Sequence, residues 1–145
     1  MRTIRALAIF VSAMAGPATA APPEPPKQLF ILTSSAPETQ ALALILANRT
    51  AAAGANVELL LCDGAGDVAL ASPPAAAGTS VTPDGTTVRR LLDMLIEKKA
   101  TVHLCAIYLP NRKLAATALM PGVTPTRPER IAGLMLDPAI RVFAF

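Results

Sequence analysis

The stretch Thr101-Val-His-Leu-Cys105-Ala-Ile-Tyr-Leu-Pro110-Asn-Arg-Lys113 decides how this chain is read. Thr101 to Leu104 is a β-branched and apolar run, which predicts a strand. It ends at Cys105, and a proline and a polar exit follow at Pro110 to Lys113. In folds built from alternating strands and helices, ligands and chemistry gather at the C-terminal edge of the strands. Cys105 stands at such an edge, and the rest of the chain reads as a scaffold that presents it.

Working outward, two more strand-like runs precede it. Gln28–Thr33 is almost continuously apolar, as suits a strand buried on both faces of a parallel sheet. Asn56–Cys62 is the second such run. Between them, Ser35 and Glu38 have capping-box spacing, and Pro37 is compatible with a first helical turn. That helix is expected to run to about Ala53 and stop at Gly54. Its middle, Ala41–Ala47, contains no polar residue, whereas a surface helix shows a polar face. Either neighbouring elements cover it, or it forms the contact of a homo-oligomer; the second expectation is slightly favoured.

Asp63-Gly64-Ala65-Gly66-Asp67 has neither dinucleotide-fingerprint spacing nor a Walker-type lysine. It is expected to be a turn that uses glycine for positive φ. Ser72–Asp84 reads as a long loop, and Thr86 or Thr87 as the cap of a helix ending near Lys99. In that helix Val88, Leu91, Leu92 and Leu95 share one stripe. Beyond Cys105, a short helix is expected at Leu114–Leu119, a very short strand near Gly122–Thr124, and a helix over Arg127–Leu136. A terminal strand is expected at Ile140–Phe145. The alternation predicts a three-layer α/β/α sandwich on a parallel sheet, with right-handed crossovers.

The N-terminal segment reads as a signal peptide. Arg2 and Arg5 form a positive region, Ala6–Ala15 an apolar one, and Ala18-Thr19-Ala20 a small-residue cleavage signature. Ten apolar residues fall short of the ~20 that span a bilayer. A periplasmic or secreted protein is therefore expected, with no membrane anchor after cleavage. Of 145 residues, the loss of the first 20 leaves 125, enough for one domain. Removing Arg2 and Arg5 takes the 13 basic residues to 11 against 10 acidic, a net charge of +1. Residues 21–27, with Pro22, Pro23, Pro25 and Pro26, read as a proline-rich tether. One tyrosine, four phenylalanines and no tryptophan offer few rings for stacking bases, so a nucleic-acid partner is not expected.

Candidate chemistry gathers at three strand ends: Ser34 and Ser35 after the first, Cys62 at the second and Cys105 at the third. Asn111, Arg112 and Lys113 add donors and positive charge. A cysteine near such groups can become a nucleophile. Either thiol can also be a buried structural cysteine, and in an oxidising compartment the two can form a disulfide. His103 is a lone strand histidine, read chiefly as a partnered structural residue, and no second histidine exists to make a metal pair. No metal or cofactor motif is present, and Ser-His-Asp, HExxH and CxxC patterns are absent.

The segment Cys105-Ala-Ile-Tyr-Leu-Pro-Asn-Arg112 resembles the cysteine segment of DsrE/DsrF-like proteins. So does the opening Leu29-Phe-Ile-Leu-Thr33 followed by Ala41-Leu-Ala-Leu44. The resemblance spans about Gln28 to Phe145. It implies a small α/β domain with a five-stranded sheet, usually oligomeric. It also implies that Cys105 is the position that, in sulfur-relay members, takes up sulfur as a persulfide and passes it to a partner cysteine. Ser34, Ser35, Asn111 and Arg112 would then bind the sulfur species. Cys62 is a second thiol that matches no relay position. The alternative is a protein that keeps only the fold and serves as a small-ligand-binding or oligomeric interaction module.

Overall fold

The computed structural model describes residues 24–145, so the expected signal peptide and the start of the expected tether lie outside the described residues. Five strands form one sheet: β1 (Lys27–Leu32), β2 (Asn56–Leu61), β3 (Thr101–Cys105), β4 (Val123–Thr126) and β5 (Ile140–Ala144). All neighbours are parallel, in the order β4-β3-β2-β1-β5. The helices are α1 (Pro37–Ala52), α2 (Val88–Glu97), a single turn α3 (Tyr108–Asn111) and α4 (Pro128–Leu136). This is the expected three-layer α/β/α arrangement.

The connections explain the layers. From β1 to β3 the chain steps in one direction across the sheet, and right-handed crossovers put α1 and α2 on the same face. From β4 it must return across β3, β2 and β1 to reach β5, and the same handedness puts α4 on the opposite face. The first face is filled by Phe30, Leu32, Leu59, Leu61, Val102 and Leu104 against Ala43, Leu44, Ala47, Leu92 and Leu95. The second has only one nine-residue helix, and its small cluster is Leu29, Leu60 and Ile131.

Local chemistry accounts for the ends of these elements. Thr87 caps α2, its hydroxyl accepting from Arg90 N at 3.1 Å. Past α1, Gly54 takes φ +91°, a conformation glycine adopts without strain. In α1 the apolar middle is explained within the chain for Ala41, Ala43, Leu44 and Ala47, which are buried, while Leu42 and Leu46 stay exposed. The edge strand β4 is four residues long and contains Pro125, a residue suited to an edge.

Three expectations are corrected. The capping box of Ser35 and Glu38 does not form: Ala36 occupies the N-cap without a side-chain bond, and Ser34 Oγ accepts from Ala36 N at 3.1 Å. The Asp63–Asp67 glycines do not have positive φ. The segment is a 3₁₀ helix, Asp63–Ala69, and the left-handed residue is Asp63 at φ 45°. Finally, the helical turn after β3 begins at Tyr108, with only a 3₁₀ turn at Ala116–Ala118 where a helix over Leu114–Leu119 was expected. The long loop does carry structure of its own. A 3₁₀ turn at Ala75–Gly78 buries Ala77, and Thr82 Oγ1 accepts from Thr86 N at 2.9 Å.

Candidate functional site

The fold's topological switch point lies between β1 and β5, where such sheets commonly open a crevice. Here it is tied shut. Thr33 donates from its backbone N and from Oγ1 to the Phe145 main-chain oxygen, at 2.9 and 3.0 Å. The chemistry-bearing residues gather instead one strand over, at the ends of β2 and β3.

The β2–β3 register runs Glu58↔Thr101 to Leu61↔Leu104, so the next pair is Cys62 and Cys105. Neighbouring strands are about 4.8 Å apart. The two thiols are near enough for Cys105 to influence Cys62, and both are free. Side chains alternate along a strand, so both sulfurs share the face of α4. There Cys62 packs against the Leu29–Leu60–Ile131 cluster. Burial, the hydrogen bond and charge of Cys105, and Asp63 together push the Cys62 thiol up to about 12.

Cys105 opens onto a groove of about 250 Å³ lined by Leu60, Ala106, Thr126, Pro128, Ile131 and Met135. No charged residue lines it. Its one oxygen-bearing side chain is Thr126, the register partner of Cys105 on β4. Thr126 is 7% exposed, and its Oγ1 is buried without a hydrogen-bond partner. The groove exists because α4 is short. Ile131 of α4 packs with Leu60, and the ends of β3 and β4 border the groove.

Next to the thiols on the same face is a polar cluster. His103 is 4% exposed, and its Nε2–H donates to Glu58 Oε2 at 2.7 Å. Arg130 Nη2 of α4 donates to the same oxygen at 2.9 Å. The histidine is thus a partnered residue, and Glu58 ties β3 to α4.

The remaining sequence candidates sit elsewhere. None of Ser34, Ser35, Asn111 and Arg112 lines the groove at Cys105. Ser34 Oγ caps its own loop, and Ser35 presses against Gly64, where an added Cβ would meet Ser35 Cβ at 2.5 Å. Asn111 is exposed at the end of α3. Arg112 stacks 4.1 Å from the centre of the Tyr108 ring and pairs with Asp67 Oδ1 at 3.3 Å. Asp67 also accepts from Tyr108 Oη at 2.6 Å; burial and this acceptor hold the phenol above its ordinary range. A Cβ on Gly66 would lie 2.2 Å from Tyr108 Cε2. The glycines therefore serve close approach: they let the 3₁₀ helix nest under Tyr108 and beside Ser35.

Sequence reasoning missed the groove lining of Leu60, Thr126, Pro128, Ile131 and Met135. Strand pairing places Leu60 and Thr126 beside Cys105, and the β4-to-β5 crossing brings Pro128, Ile131 and Met135 over it. A clue was present in Pro128 and Ile131, which fall on one face of the helix predicted there.

A parallel five-stranded sheet with two adjacent thiols at its C-terminal edge defines a small α/β protein of the DsrE-like fold. Two solved structures match it closely in shape. YchN from E. coli superposes with a TM-score of 0.61 over 82% of this chain and 99% of its own, at 19% identity. MTH1491 from Methanobacterium thermoautotrophicum, described as a protein of unknown function, gives 0.61 over 82% and 98%, at 13% identity. No protein-family model and no curated protein matches the sequence. Among the described residues, no helix is long and apolar enough to cross a membrane.

Proposed function

We propose that this chain is an exported sulfur-handling protein in which Cys105 takes up sulfane sulfur as a persulfide. The observation that carries the reading is the placement of Cys105. It is a free thiol at a C-terminal strand edge, facing an open groove, with a second free thiol beside it. Thiolate attack on a sulfur donor loads Cys105, and attack by an acceptor thiol on the outer sulfur unloads it. The donor and acceptor are thiol or polysulfide species, and the protein acts in the periplasm or outside the cell, as its N-terminal pattern suggests. Leu42 and Leu46, exposed on α1, supply the contact of a homo-oligomer.

The test is sulfur uptake. Reduced protein mixed with inorganic tetrasulfide should take about one sulfane sulfur per chain, counted as protein persulfide plus hydrosulfide released. Cys105→Ser should take none. Uptake equal to that of the unaltered chain in Cys105→Ser defeats the proposal.

One observation favours a second reading: apart from Cys105 and Thr126, the groove is lined by apolar side chains. A small apolar ligand suits it, and the protein would then be a binding module. Saturable binding of an apolar probe that survives alkylation of Cys105, together with no sulfur uptake, would establish that alternative.

A further inference from the structure

We propose that Cys62 is the resolving thiol of Cys105: it displaces sulfur from a Cys105 persulfide as hydrosulfide and leaves a Cys62–Cys105 disulfide. This rests on the reading of Cys105 as the sulfur-accepting thiol, and it gives that site a product and a partner.

The geometry comes from the sheet. The β2–β3 register makes the two cysteines direct neighbours, on the same face of the sheet. A strand spacing of about 4.8 Å falls inside the roughly 4.4–6.8 Å over which Cα atoms accommodate a disulfide. No backbone rearrangement is needed to close the bond. The groove beside Cys105 gives the departing sulfur a way out.

The step balances without an outside oxidant. The Cys62 thiolate attacks Sγ of Cys105, the inner sulfur of the persulfide. The Cys62–Cys105 bond forms as the bond to the outer sulfur breaks, and that sulfur leaves with the electron pair as hydrosulfide. Cys62 is oxidised and the outer sulfur is reduced. The Cys62 proton neutralises the leaving group or passes to solvent. Return to the starting dithiol requires an external dithiol, which opens the disulfide and is itself oxidised. The implied partner is therefore a dithiol reductant.

The test follows the fate of the loaded protein. Reduced chain, Cys62→Ser and Cys62→Ala are each loaded with inorganic tetrasulfide, desalted, and followed by intact mass and hydrosulfide assay. The unaltered chain should end about 2 Da lighter than the dithiol, with about one hydrosulfide released, while both variants stay about 32 Da heavier. Persulfide lifetime should lengthen at least about tenfold in the variants. Peptide mapping should find the new bond between Cys62 and Cys105. An unaltered chain that keeps its added sulfur as long as the variants overturns the inference and leaves the Cys105 reading standing. Failure of both folded variants to load at all overturns the Cys105 reading itself, and this inference with it.

Discussion

The two faces of the sheet are built to different standards. Toward α1 and α2, Leu32, Leu59, Leu61 and Leu104 are at most 1% exposed, and the contacts are apolar. Toward α4, one short helix covers a mixed surface that holds Glu58, His103, both cysteines and an unpartnered threonine hydroxyl. The first face is where burial stabilises the domain. The second gives up burial to leave sulfur accessible. Loosely covered surface next to a well-packed core is what a site needs: a rigid floor and a reachable reactive atom.

Truncation should expose that division most strongly. Leu59→Ala, at a site with no exposure, should cost about 3–4 kcal/mol, and Ile131→Ala about 2 kcal/mol, because the groove beside Ile131 already admits solvent. Urea unfolding of both variants measures the difference; equal losses would erase the contrast between the faces. The next effect is smaller and opposite in sign. Thr126→Val removes a buried hydroxyl that has no partner, so it should stabilise by about 1 kcal/mol. Destabilisation instead would show that this hydroxyl is bonded, with Cys105 as its nearest register neighbour.

A further effect concerns pH. An unfolded cysteine titrates near 9.0, whereas Cys62 in the fold is pushed up to about 12. Between these values the folded state holds a proton that the unfolded chain has lost. The stability attached to it is complete below pH 9.0 and is lost as pH rises toward the folded value. Stability measured from pH 8 to 11 should therefore fall less steeply in Cys62→Ser than in the unaltered chain. Parallel curves would mean that Cys62 is as easily ionised in the fold as outside it.

Much of the fold was legible in the sequence, and the site only partly. β3 has the predicted bounds, Thr101–Cys105, because a β-branched run between a helix end and a turn has few alternatives. The α2 cap was narrowed to Thr86 or Thr87 because the role depends on local spacing, and the structure uses Thr87. The capping box at Ser35 failed because the helix starts one residue later: Ala36 is the N-cap and has no side-chain cap, while Ser34 Oγ bonds within its own loop and Ser35 lies against Gly64. Arg112 looked available to an anion in sequence, yet Asp67, distant along the chain, and the Tyr108 ring, four residues earlier, engage it. The pairing of Cys62 with Cys105 depends on strand order, which composition and periodicity do not encode. The groove depends on which face receives α4.

The two margins of the sheet also differ, and that bears on how copies of this chain can join. At one margin, β4 is four residues long and interrupted by Pro125, so it presents few amide donors to a newcomer. At the other, β5 is a continuous strand with Val142 and Phe143 partly exposed. Among the described residues, β5 is the margin better suited to take an added strand. A second copy placed there by a two-fold axis would run antiparallel and leave only the two β4 margins outermost. Growth through the sheet would end at a pair.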